Sequence, residues 1–267
     1  MGTKTKIDWC DSTWNPVTGC LHDCAYCYAR KIAERCGGVN YEGELENRYG
    51  EYDVVRLHEE EDVHELDRPI ADFYSGKKAP YPWEFDPTFH RYKLDEPKHW
   101  KKPRTIFVCS MADLFGDWVP DEWIEQVFEA CEAAPQHRYL FLTKNPKRYV
   151  DLYGNGILRV HDSFWYGSTI TGANEPFFFS RMPDDNPHTF CSIEPIIEPV
   201  ETMREMPDWV IVGAETGNRK GKVAPCKEWI DEIAAECKRR RKPLFMKDSL
   251  CDLMGDDFKQ EFPWEVK

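Results

Sequence analysis

Three cysteines, Cys20, Cys24 and Cys27, fall within eight positions of the stretch "WNPVTGCLHDCAYCYAR", residues 14–30, with the spacing C-x-x-x-C-x-x-C. Thiols packed this densely in one short loop point to metal ligation. A structural zinc site takes four closed ligands, commonly from two C-x-x-C pairs, and this chain has no second pair. A [4Fe–4S] cluster held by thiolates normally takes four as well, so three without an evident fourth imply one iron left open. That open iron would be the functional point.

The elements that must position such a loop are legible in the hydropathy pattern. The run "STWNPVTG" reads as a first strand leading into the cysteines. After it come "RTIFVCSMADLF" (104–115), "RYLFLTK" (138–144), "SFWYGSTI" (163–170), "HTFCSIEP" (188–195), "DWVIVGAETG" (208–217) and "KPLFMK" (242–247). Helical patterns at about 121–134, 146–153, 174–181 and 226–241 separate several of them. Continuous apolar strands alternating with helices predict an α/β fold, a parallel sheet covered by helices. With "STWNPVTG" counted, seven strands are expected in a single domain, residues 1–267. Residues 37–100 interrupt the rhythm after the first βα unit with neither clean periodicity nor core-like composition, and read as an insertion or cap. Its acidic run "HEEEDVHE" (58–65) is expected to be a solvated face. His58 and His64 have nothing in the sequence to order them as ligands. The segment "YPWEFDPTFHRY" (81–92) is dense in aromatics and proline, which suits packing over a barrel mouth.

In a parallel barrel, sites are built at the carboxyl ends of the strands. Ser110 and Asp113 follow the second strand, Thr143 and Lys144 the third and Ser168 the fourth. Glu194 ends the fifth, Glu215 the sixth, and Lys247 and Asp248 the seventh. Glu194 and Glu215 are the sharpest of these, because a carboxylate ending an apolar run needs a partner or a ligand. Salt bridges with Lys144 or Lys247 would satisfy them equally well.

The segment "CLHDCAYCY" resembles the signature of the radical S-adenosylmethionine (SAM) superfamily, whose third cysteine follows an aromatic residue, here Tyr26. The resemblance implies a partial, TIM-like (β/α) barrel of six to seven parallel strands, of radical SAM type, and a [4Fe–4S] cluster on Cys20, Cys24 and Cys27. It also implies SAM on the open iron, cleaved by one electron to methionine and a 5′-deoxyadenosyl radical that takes hydrogen from a substrate. Tyr26, Ser110, Asp113, Ser168, Glu194 and Glu215 are the candidates for holding the cofactor. A glycine-glycine-glutamate motif usual in that superfamily is replaced here by "CSMADLF". Five longer blocks, among them "FLTKNPKR" and "CSIEPIIEPV", resemble a phage-associated three-cysteine family of unknown function. Alternatives are an iron–sulfur electron-transfer protein and a non-catalytic zinc scaffold.

The remaining features bound the setting. An odd number of cysteines, eleven, in a chain large enough to fold without staples fits a reducing cytoplasm. Cys109, Cys131, Cys191 and Cys237 are expected to be small buried hydrophobes, and Cys226, Cys237 and Cys251 are too loosely spaced to predict a second cluster. No segment approaches the roughly 20 apolar residues of a membrane span. Lys6 stands where a myristoylation motif needs Ser or Thr. Phage association points to a nucleotide or nucleic-acid substrate, whereas the net charge of −13 favours a small molecule or peptide. An electron donor such as flavodoxin or ferredoxin is the partner such a cluster requires. The basic run "KRRRK" (238–242) is expected to complement a helix dipole rather than to bind phosphate.

Overall fold

A computed structural model describes residues 5–37, 54–58, 63–71, 76–172, 188–200 and 206–265. Seven parallel strands form one sheet that curls into a half-barrel. In spatial order they are β1 (Ser12–Trp14), β6 (Thr105–Val108), β7 (Arg138–Thr143), β8 (Phe164–Ile170), β9 (His188–Ile193), β10 (Trp209–Val212) and β11 (Leu244–Met246). The order is sequential apart from the interruption after β1, as parallel β-α-β connections require. A second sheet, ordered β2-β5-β4-β3, is made by β2 (Val17–Thr18), β3 (Val54–His58), β4 (Val63–Leu66) and β5 (Thr88–His90).

Alternation along each strand divides the core in two, since successive side chains face opposite sides of a sheet. Ile106, Val108, Tyr139, Phe141, Phe164 and Tyr166 pack under the helices α2 (Asp121–Glu132) and α3 (Lys147–Gly154). Cys191, Ile193, Val210, Val212, Leu244 and Met246 pack under α4 (Lys227–Arg240). The intervening residues fill the concave side: Phe107, Leu140, Trp165, Phe190, Trp209, Ile211 and Phe245, joined by Trp9 and by the chain's tail through Phe262 and Trp264. Gly167 makes room there, for a Cβ on it would stand 2.4 Å from the Phe190 ring.

Three expectations need revision. The stretch "STWNPVTG" is two strands, because Pro16 has no N–H to continue a ladder and its carbonyl accepts from His90 N, turning the chain into the second sheet. The insertion is not without a core, since Val63 and Phe89 are buried with Val17, Trp123 and the rest of the α2 core. The acidic run is not a solvated face at its end: His64 and Glu65 are buried, and Glu65 accepts from Trp123 Nε1 and Arg91 Nη2, each at 2.6 Å. Residues 59–62 of that run, and the helix expected at 174–181, lie outside the described residues. The cytoplasmic reading rests partly on the lack of a membrane span, and no helix among the described residues is long and apolar enough to cross a membrane.

Candidate metal centre

The cysteine loop leaves β2 at the carboxyl edge of the half-barrel and ends in α1 (Tyr28–Cys36). Gly19 begins it at φ +85°, in the left-handed region that favours glycine, and bonds through its N–H to Met111 O at 2.9 Å. Cys20 is buried among Ala29, Ala33, Phe85 and Met111, and its N–H donates to Phe85 O at 3.0 Å. A turn closes with Cys27 N donating to Cys24 O at 3.0 Å. Cys27 then caps α1, its Sγ accepting from Arg30 N at 3.3 Å. Arg30 draws the loop inward, its Nη2 donating to the carbonyls of Cys20 at 3.2 Å and His22 at 3.1 Å, with its guanidinium 4.8 Å over the Phe85 ring.

The thiols share one electrostatic environment. Burial pushes Cys20 up to about 12, and the charges on Asp113, Cys27 and Cys24 add to the rise. Burial also raises Cys24, against the pull of Lys144. Loading a metal here therefore releases protons. Among the described residues no three His, Cys, Asp or Glu side chains converge to hold a single metal ion. An iron–sulfur cluster takes its thiolates on separate irons, four in the ordinary case.

Asp113 sits behind the loop, buried, and its carboxylate is fully engaged. Oδ1 accepts from Thr143 Oγ1 at 2.7 Å and Phe115 N at 3.1 Å; Oδ2 accepts from Lys144 N at 2.9 Å and His22 Nε2 at 3.0 Å. Four donors use the roughly four acceptor sites a carboxylate has. The Lys144 side chain reaches the loop as well, with Nζ 3.2 Å from Tyr26 Oη and 5.3 Å from the ring centroid, while the Tyr26 hydroxyl also meets Thr171. Asn15 Oδ1 accepts from Ser110 Oγ at 3.1 Å and Met111 N at 3.0 Å, and Tyr28 Oη donates to Ser110 O at 2.6 Å.

A family model described as a protein of unknown function, DUF5131, matches residues 4–252. The chain belongs to that family. No curated protein and no solved structure matched it. The family match spans both the cysteine loop and every strand of the half-barrel.

The other sequence candidates fall in different places. Glu194 is paired with Lys247 across the ends of β9 and β11. Glu215 is buried and held in a bidentate pair by Arg219, at 2.6 and 2.7 Å, which keeps its carboxyl below the usual range. Ser168 does not sit at the mouth: it is inside β8, with the parity of Phe164, Tyr166 and Ile170 on the helix-facing side. Thr169 and Ser192 have the opposite parity and stand above the aromatic interior. His58 belongs to a strand whose side chains lie outside the described residues, and His64 stacks on Trp83 with ring centroids 4.2 Å apart. Arg239 and Arg240 are paired with Glu236 at the end of α4.

Asn15, His22, Arg30 and Thr171 were not singled out by sequence reasoning. His22 carried a signal, being the one side chain between Cys20 and Cys24 able to make a directed bond to a carboxylate. Two cavities, of about 570 and 530 Å³, lie at the amino ends of the strands, and Arg138, Asp162 and Trp264 line both. Neither is lined by the cysteine loop.

Proposed function

We propose that this protein is a radical SAM enzyme in which Cys20, Cys24 and Cys27 hold a [4Fe–4S] cluster. The observation that carries the reading is a three-thiol loop seated at the carboxyl edge of a parallel half-barrel, with its last cysteine at the start of a helix. Cys20, Cys24 and Cys27 would hold the cluster, which when bound and reduced by an external donor would supply one-electron chemistry for the reductive cleavage of SAM and hydrogen abstraction from a substrate.

The chain's own residues have separable tasks. The three thiols give up protons and ligate. Gly19, Phe85 and Arg30 hold the loop's backbone. Thr171, which meets the Tyr26 hydroxyl, and the Glu194–Lys247 pair, at the ends of β8, β9 and β11, would orient a polar cofactor above the aromatic floor. Glu215 would serve as a structural anchor for the loop bearing Arg219. Asp113 has no acceptor site left for a cofactor, and Ser110 Oγ donates its hydrogen bond to Asn15 Oδ1, leaving it only as an acceptor.

Residues 37–100 act in this reading as a wall and cap that keep water from a radical site. The described part of that segment already walls the loop through Phe85 and Asp86. A flavodoxin- or ferredoxin-type donor and a cytoplasmic setting complete the proposal, with a small molecule, nucleotide or nucleic acid as substrate.

Anaerobic reconstitution with iron and sulfide tests it. A brown protein that releases 5′-deoxyadenosine from SAM under reduction is the expected result. A brown protein without cleavage would favour an electron-transfer role, and a colourless protein carrying zinc would overturn the cluster.

A further inference from the structure

Each gap between the cysteines contains one side chain tied to the same strand end. His22, between Cys20 and Cys24, donates to Asp113 Oδ2 at 3.0 Å, and that oxygen also accepts from the backbone N–H of Lys144 at 2.9 Å. Tyr26, between Cys24 and Cys27, takes the Nζ of Lys144 on its hydroxyl at 3.2 Å. Both tethers converge on Thr143–Lys144 at the exit of β7, a central strand of the half-barrel.

We propose that the β7 exit is a two-point clamp that sets the register of the cysteine loop, with Asp113 and Lys144 as positioning residues acting through His22 and Tyr26. Three observations support it. Asp113 is saturated by protein donors, so its chemistry is spent on holding His22 and the strand end together. Lys144 approaches Tyr26 both at its hydroxyl and over its ring, which restricts the ring's position as well as its polar end. Trp118 meets His22 edge-on, with centroids 4.8 Å apart, and so restricts the imidazole from a second direction. A loop of this kind has no strand pairing of its own from Leu21 to Cys27, so geometry must be imposed from a rigid neighbour.

The inference rests on the cluster reading for its purpose, but the clamp itself is measurable without metal. In the metal-free, reduced protein, hydrogen exchange at the amides of Cys20 and Cys27 should accelerate about tenfold or more in His22→Ala and in Lys144→Met, as expected for losing a hydrogen bond to a charged group. Leu21→Ala, changing an exposed neighbour in the same loop, should leave those rates at the wild-type value. After reconstitution, the two clamp variants should show an altered electron paramagnetic resonance signal for the reduced cluster, and Lys144→Arg should restore the wild-type signal. Unchanged exchange rates in both clamp variants would overturn the clamp. Wild-type protein that takes up no iron would instead overturn the cluster, leaving the exchange result to stand by itself.

Discussion

Gly19 lies directly against the backbone of Asp86: a Cβ placed on Gly19 would stand 2.1 Å from the Asp86 carbonyl oxygen. The residue that opens the cysteine loop is therefore pressed onto the insertion, and no side chain fits between them. Gly19→Ala meets both this contact and a left-handed φ, and is expected to cost at least about 2 kcal/mol. A urea titration of the metal-free protein measures it, and an unchanged midpoint would show that the loop does not depend on this contact.

Phe85 makes the same dependence testable from the other side. It is buried against Cys20 and under the Arg30 guanidinium, and Phe→Ala in such a place typically costs about 3–5 kcal/mol. Phe85→Leu keeps most of the volume and loses the face offered to Arg30. The leucine variant should remain folded and bind iron less fully than wild type; equal iron content in the two would remove Phe85 from the loop's support.

Glu194 and Lys247 form a partly buried pair, so removing one charge leaves the other without its partner. Glu194→Gln should weaken SAM binding to the reconstituted protein by about tenfold, equivalent to about 1.4 kcal/mol. The double variant Glu194→Gln/Lys247→Met should recover stability without recovering SAM affinity. Equilibrium dialysis with SAM reads the outcome, and undiminished binding in both variants would return the pair to a purely structural role.

Cys109, just after β6, and Cys237, on the buried face of α4, are pushed up to about 12 by loss of water around the thiol. A raised thiol value means that the folded state keeps its proton after the unfolded chain, with an ordinary value of 9.0, has lost it. Stability from these groups is intact below pH 9 and falls as pH rises toward 12, by about 1.4 kcal/mol per pH unit for each thiol. Urea midpoints under reducing conditions should decline over that window, and Cys237→Ala should lessen the slope; a flat profile would contradict the burial effect.

At the far end of the barrel, Trp264 packs on Trp209 with centroids 5.3 Å apart and carries the Arg138 guanidinium 3.9 Å over its ring. It lies beyond the region matched by the family, which ends at 252. Trp264→Ala should cost about 2 kcal/mol of stability and leave iron binding at the opposite edge unchanged. Loss of iron in this folded variant would mean that the two ends of the barrel are coupled.

The order of strands and the place of the cysteine loop were legible in the chain, because buried parallel strands are continuous apolar runs and their polar ends mark one edge. All seven expected strands of the large sheet are present, and α2, α3 and α4 start and end within about two residues of the predicted bounds. What the chain alone could not decide was direction and partnership. Ser168 reads as a strand-end residue, yet the parity of β8 turns it toward the helices, since one step along a strand reverses the facing side. Asp113 reads as a ligand for a cofactor until four donors from three separate segments are seen to occupy it. The end of the acidic run reads as solvated, but Trp123 and Arg91 arrive from distant positions to bury Glu65. Local pattern reports what a residue can do; which groups meet it is settled only when the sheet closes and brings remote segments within hydrogen-bond reach.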